Sequence, residues 1–176
     1  MNRRTFNHLG FRSLAASLLA SGAIAQVHSA EAASLKSTNT RLASSQAAPP
    51  EITVYRDPTC GCCHQWVNYL KGQGFHVTDI VRSDMTAIKQ QYGIPADLTS
   101  CHTAIVEGYV VEGHVPATDI QRLVTERPNI KGIAVPGMPV GSPGMELGDR
   151  QDTFTVVAFG PDKKTTIFNR YEAEQE

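Results

Sequence analysis

Ile52-Thr53-Val54-Tyr55-Arg56-Asp57-Pro58-Thr59-Cys60-Gly61-Cys62-Cys63-His64-Gln65-Trp66-Val67-Asn68-Tyr69-Leu70-Lys71 changes its period midway. Ile52 to Tyr55 alternates as a short strand does, and Asp57-Pro58 stops it. From Cys63 to Lys71 the apolar residues Trp66, Val67 and Leu70 recur at helical spacing, until Gly72 and Gly74 end the run. The join between strand and helix holds three of the four cysteines. A strand thus feeds a helix through a cysteine turn.

Outward from that turn, Phe75 to Val81 makes a second strand, and Asp84 caps a helix running to about Tyr92, closed by Gly93 and Pro95. Ala104 to Val111 reads as two short strands turning near Glu107-Gly108. A helix carrying Ile120, Leu123 and Val124 starts at Thr118 or Asp119 and stops before Pro128. A Gly/Pro-rich loop fills Gly132 to Gly148, and Thr153–Phe159 with Thr165–Phe168 makes a last hairpin around Gly160-Pro161-Asp162. The order β-Cys turn-α-β-α-ββ-α is that of a thioredoxin-like domain. The expected fold is therefore a single α/β domain over 51–171, a mixed sheet flanked by helices. The C-terminal β-hairpin and the Gly/Pro-rich loop are extras, and 172–176 is a tail.

The chain has 176 residues and a formal charge of −1, which suits one globular domain plus additional sequence. Without a basic cluster beyond the N-terminus, and with 7% aromatic residues, it offers no nucleic-acid surface. Arg3, Arg4 and Arg12 precede an apolar run from Leu14 to Ala25, and Ala23-Ile24-Ala25 offers a cleavage site. Residues 1–25 therefore read as an export signal, of Sec type or, from Arg3-Arg4-Thr5-Phe6, of twin-arginine type. The run is too short to span a bilayer comfortably, so no membrane span is expected after its removal. Residues 26–50, rich in Ala, Ser, Thr, Asn and Gln, read as a flexible linker.

In an exported chain the crowded cysteines pose a chemical question. Cys60 and Cys63 place two sulfurs at a helix N-terminus, where unpaired N–H groups and the helix dipole favour thiolate. Cys62 adds a third sulfur, and three neighbouring thiolates repel unless a cation joins them. The competing arrangement is a structural Cys60–Cys63 disulfide with Cys62 a spectator. Cys101-His102 stands before a strand, at the junction that faces the first helix start in a thioredoxin-like domain. A cis-proline usually shields the dithiol there, and here potential ligands replace it. Alternatively Cys101 is a buried, apolar-packing cysteine. His64 and His114 are further imidazoles on the same edge, each equally readable as a solvated or hydrogen-bonding histidine. Met138 and Met145 sit in a repeated Pro-Gly-Met and add thioethers, although methionine is more often a core filler. Thiolate, thioether and imidazole together suit Cu(I). Zinc, the second choice, needs no methionine, and iron–sulfur clusters want separated thiolates.

Cys60-Gly61-Cys62-Cys63-His64, Ser100-Cys101-His102-Thr103-Ala104, Glu112-Gly113-His114-Val115-Pro116-Ala117, Val135-Pro136-Gly137-Met138-Pro139 and Gly141-Ser142-Pro143-Gly144-Met145 resemble, in this order, the motifs of the CopG-like family, also known as domain of unknown function 411. The resemblance runs from about Ile52 to Phe168. It implies a periplasmic, thioredoxin-like protein of copper and heavy-metal resistance, which binds copper in a small cluster and could act as an oxidoreductase cycling Cu(I) and Cu(II). The expected ligands are Cys60, Cys62, Cys63 and Cys101, with His102, His114, Met138 and Met145 completing the shell. The expected partners are copper ions and other periplasmic copper-handling proteins. Two other functions stay open: a thiol–disulfide oxidoreductase using Cys60 and Cys63, and a zinc-stabilised interaction module.

Overall fold

A computed structural model describes residues 50–173; the segment 1–25 read as an export signal, the segment 26–50 read as a linker (apart from Pro50) and the last three residues lie outside the described part. Strand β1 (Glu51–Arg56) buries Ile52 and Val54 on one face. Helix α1 (Gly61–Gly72) buries Cys63, Trp66, Val67 and Leu70, the i, i+3, i+4, i+7 stripe of an amphipathic helix. Strand β2 (His76–Val81) follows, then helix α2 (Met85–Gln91), whose N-cap Asp84 accepts a hydrogen bond from Ala87 N at 3.0 Å. A 3₁₀ turn over Ala96–Leu98 leads into β3 (His102–Val106) and β4 (Tyr109–Glu112). Glu107 and Gly108, both at positive φ, form the tight loop between these two strands. Helix α3 (Ala117–Glu126) and strands β5 (Gly132–Ala134), β6 (Phe154–Phe159) and β7 (Thr165–Tyr171) complete the described residues.

The seven strands form one mixed sheet in the order β2-β1-β3-β4-β5-β6-β7. The β1–β2 and β4–β5 pairs are parallel and the others antiparallel. The neighbours Val110 and Val111 fall in different apolar clusters, as successive residues of a strand must. The larger cluster packs α1 and α3 residues such as Trp66, Leu70, Ile120 and Leu123 on one face. On the other, Leu98, Val110, Ala134 and Phe159 meet Tyr92 and Ile94. Burying Leu70, Ile120 and Leu123 contributes about 1.5–3 kcal/mol each.

The order of elements up to α3 is the expected one, and two readings need correction. Gly132 to Ala134 is strand, not loop. Glycine is poor at filling strands, but a Cβ here would lie 2.1 Å from the Val110 carbonyl oxygen, so close approach of β4 and β5 demands it. The C-terminal hairpin is consequently no appendage: β5 splices β6 and β7 into the main sheet. Strand β3 also begins at His102, two residues before the expected start, which leaves Cys101 immediately ahead of it.

Pairing of Arg56 with His102 sets the site. Because β1 and β3 run antiparallel, the end of β1 meets the start of β3. The cysteine turn after β1 and the Cys101-His102 pair are thereby delivered to the same edge of the sheet.

Candidate metal centre

The turn that carries the thiols is built by Asp57. Its Oδ1 accepts from Thr59 N (2.8 Å) and Thr59 Oγ1 (2.5 Å), while its carbonyl accepts from Cys60 N (3.2 Å). Cys60 is then the N-cap of α1, in extended conformation, and caps no N–H with its side chain. The first turn holds no acidic residue, so the positive end of the helix faces the sulfurs without a competing anion.

Cys60 and Cys63 are joined as a disulfide. Cys60 is half-buried and Cys63 has no exposed surface. Cys62 and Cys101 are free thiols, both half-buried. The Cys62 Sγ lies 3.5 Å from that of Cys60 and 3.9 Å from that of Cys101. All four Sγ atoms fall within 4.8 Å of one another.

A second group shares one member with the first. The Sγ of Cys101 is 3.0 Å from His114 Nε2 and 3.3 Å from His102 Nδ1, and the three potential ligand atoms lie within 4.8 Å of one another. His114 Nδ1 is 2.8 Å from the Pro143 carbonyl. A carbonyl only accepts, so Nδ1 carries the proton, and the lone pair of Nε2 points at Cys101. Burial holds the His114 imidazole below its ordinary pKa, against the opposing pull of the Pro143 carbonyl and Glu146. His102 is fully buried and held well below its ordinary value by burial first, then by His114 and Lys89. Its ring packs against Trp66 at 4.3 Å and edge-on to His114 at 4.9 Å, and its Nε2 has no hydrogen-bond partner among the described residues. Both rings are thus neutral and ligand-competent at neutral pH.

Burial, and next the neighbouring Cys62, push the Cys101 thiol up to about 12. It therefore keeps its proton when no metal is present. Its ordinary value is 9.0, so above that the unfolded chain loses this proton and the folded chain does not. The metal-free protein should lose stability as pH rises from 9.0 towards about 12. Cys101→Ser should remove that share of the loss. Urea unfolding of both forms at several alkaline pH values checks this; a stability difference between them that ignores pH contradicts it.

The loop after β5 closes over both cysteine segments. Gly137 N donates to the Thr99 carbonyl at 3.3 Å, and the Gly137 carbonyl accepts from Ser100 Oγ, next to Cys101. Gly144 (φ 83°) lies against α1: a Cβ there would sit 2.7 Å from Trp66 N and 3.1 Å from the Cys62 carbonyl oxygen. Each Pro-Gly-Met repeat thus anchors its glycine on one half of the site. Met145, after Gly144, is half-buried, whereas Met138 is 53% exposed.

Of the residues singled out from sequence, the structure brings together Cys60, Cys62, Cys63, Cys101, His102 and His114. His64 lies on the exposed side of α1 and joins neither group. Met145 sits in a segment packed on α1, and Met138 stands at the surface. For three residues the sequence shows presence but not role at the site. Trp66 looked like a plain core residue, yet it supports His102 and donates its Nε1–H to the Val115 carbonyl at 3.0 Å. Pro143 supplies the carbonyl that fixes the His114 tautomer. Glu112, fully buried, accepts from Lys89 beneath Cys101-His102. The signals for Glu112 are its place at the head of the Glu112-Gly113-His114 motif and a lone carboxylate ending the apolar run Tyr109-Val110-Val111.

Residues 98–145 match the family described as "Protein of unknown function, DUF411". Two solved structures, Form 1 and Form 2 of a copper resistance protein copG, are each 50% identical in sequence to this chain. Each comparison covers 70% of this chain and 98% of the solved one, with a TM-score of 0.68. No curated protein matches the chain.

Proposed function

Because this chain belongs to the CopG-like copper-resistance family, we propose that it handles copper by holding Cu(I) on Cys60, Cys62, Cys63 and Cys101. The observation that carries the proposal is the convergence of four sulfurs within 4.8 Å, from two segments far apart in sequence. Donor chemistry supports it: thiolates and neutral imidazoles with a thioether-bearing loop nearby are soft ligands that favour Cu(I) over hard cations. Cys101 belongs both to the sulfur group and to the group with His102 and His114. A thiolate shared in this way suits a site of more than one copper, with Cys101 between them. Met145 is the better placed methionine to complete the shell, and Met138 the better placed to meet copper arriving from outside. The N-terminal sequence supports work in the periplasm. Among the described residues no helix is long and apolar enough to cross a membrane.

Anaerobic titration of the fully reduced protein with Cu(I), followed by metal counting, tests this. Wild type should retain at least one copper per chain, and Cys60→Ser should retain measurably less. Less than one copper in wild type, or equal content in the two, ends the proposal.

The Cys60–Cys63 disulfide favours a second reading, thiol–disulfide exchange. The half-buried Cys60 would meet an incoming thiolate and the buried Cys63 would leave and later resolve. Metal-free insulin reduction that survives Cys62→Ser and Cys101→Ser would single out this function. Loss of that activity in either variant would speak against it.

A further inference from the structure

Beneath the Cys101-His102 pair lies a charged group that neither metal binding nor thiol exchange uses directly. Glu112, at the end of β4, has no exposed surface. Its Oε1 accepts from Ser100 N at 2.6 Å and from Lys89 Nζ at 2.5 Å, and its Oε2 accepts from Thr103 Oγ1 at 2.7 Å. Lys89 Nζ also reaches Thr103 Oγ1 at 3.2 Å. Ser100 and Thr103 bracket Cys101 and His102. Two residues beyond Glu112 stands His114, and Gly113 between them donates its N–H to the His102 carbonyl at 3.0 Å. Gly113 is at φ 74°, and a Cβ on it would lie 2.5 Å from the Val135 carbonyl oxygen and 2.6 Å from Ser100 Cβ.

One carboxylate therefore ties α2, the turn before β3 and the first residues of β3 to the strand end that carries His114. Stability alone explains this poorly. Taking an ammonium and a carboxylate out of water is expensive, and apolar residues of similar size often replace such pairs at no loss. What an apolar pair does not reproduce is direction. It has no acceptor for Ser100 N or Thr103 Oγ1, and those bonds fix the path of the chain through Cys101 and His102.

We propose that Glu112, held by Lys89, is a positioning residue of the metal centre: its hydrogen bonds to Ser100 and Thr103 aim the Cys101 thiol and the His102 ring at His114 and the α1 sulfurs. The inference rests on the copper-holding reading of the site. Glu112 touches no metal in it. It acts through the two residues that bracket the ligands, one bond further out than the groups that hydrogen-bond ligands directly, whose loss typically lowers affinity about 10–100-fold.

The test uses the purified, fully reduced protein and two variants, Glu112→Gln and the apolar pair Lys89→Met with Glu112→Leu. Cu(I) affinity is read by competition with bicinchoninate. In metal-free protein, iodoacetamide alkylation of Cys101 is compared with that of Cys62 by peptide mapping. Cys62 stands on α1, outside the clamp, so general loosening of the fold would speed both thiols together. The expected result is cooperative thermal unfolding in the apolar pair, Cu(I) affinity at least about tenfold weaker there and less weakened in Glu112→Gln, whose amide oxygen can still accept from Ser100 N, and a rise in alkylation confined to Cys101. Unchanged affinity with an unchanged Cys101-to-Cys62 ratio overturns the inference. So does failure of both variants to fold, because Glu112 would then be a stability element. If wild type itself holds no Cu(I), the copper reading falls, and the alkylation ratio still decides whether Glu112 positions Cys101.

Discussion

Reducing the Cys60–Cys63 bond should raise the protein's affinity for Cu(I) by about three orders of magnitude or more. In the disulfide form two of the four clustered sulfurs are bonded to each other, and only Cys62 and Cys101 remain as thiols. Thiolate, not disulfide sulfur, is the effective metal ligand. Four-ligand structural zinc sites in small peptides bind with roughly 10–16 kcal/mol, so each ligand contributes about 2.5–4 kcal/mol. Two missing thiolates then cost about 6 kcal/mol, or ~10⁴-fold at 1.4 kcal/mol per tenfold. Residual binding through Cys101, His102 and His114 would soften that figure towards ~10³. Competition titrations on disulfide-intact and reduced protein, with the disulfide verified by mass, measure the ratio directly. Equal affinities in the two forms would mean that Cys60 and Cys63 are not ligands, and would leave a structural disulfide in their place.

That expectation also reconciles the two roles the cysteine turn suggests. A helix N-terminus without acidic residues stabilises thiolate for either purpose. The exposure of the pair is asymmetric, with Cys60 reachable and Cys63 sealed. An external dithiol that attacks Cys60 would release the Cys63 thiolate, and a second attack, by its other thiol, would free Cys60. The protein would gain two thiols as its reductant became a disulfide. Copper loading and thiol exchange would then be successive events at one turn.

The parts of this arrangement that announce themselves in the sequence are those with local periodicity. Trp66, Val67 and Leu70 define α1, Asp84 caps α2, and the crowded thiols mark a reactive turn. Each depends only on neighbours within a few positions. Gly132 was misread because its reason is remote: the Val110 carbonyl occupies the space of its missing side chain. The same holds for Glu112, whose partners Lys89, Ser100 and Thr103 come from three other segments. The disulfide was legible only as one of two outcomes, since spacing permits both a bonded and an open Cys60–Cys63 pair. His114 was legible as an imidazole near the site. Its tautomer was not, because Pro143, the residue that decides it, arrives on the loop after β5.

Cys101→Ser should be the most damaging single substitution for copper and among the mildest for the fold. A serine hydroxyl keeps the shape and can donate to His114 Nε2 as the thiol does, so the metal-free protein should stay folded at neutral pH, within about 1 kcal/mol of wild type. Copper is a different matter. Cys101 is the one residue common to the sulfur group and the imidazole group. Losing it removes a thiolate worth about 2.5–4 kcal/mol and disconnects His102 and His114 from Cys62, so affinity should fall by about 100-fold or more. Cys60→Ser, which spares the imidazole group, should fall less. The proton balance offers an independent signature. The Cys101 thiol, pushed up to about 12, is protonated at neutral pH and must surrender its proton when it binds copper. Wild-type affinity therefore rises with pH by one more proton's worth, about tenfold per unit, than that of the serine variant. Affinities measured across roughly neutral to mildly alkaline pH give the two slopes. Parallel slopes, or a smaller loss in Cys101→Ser than in Cys60→Ser, would place Cys101 outside the copper site and return it to the role of a buried packing residue.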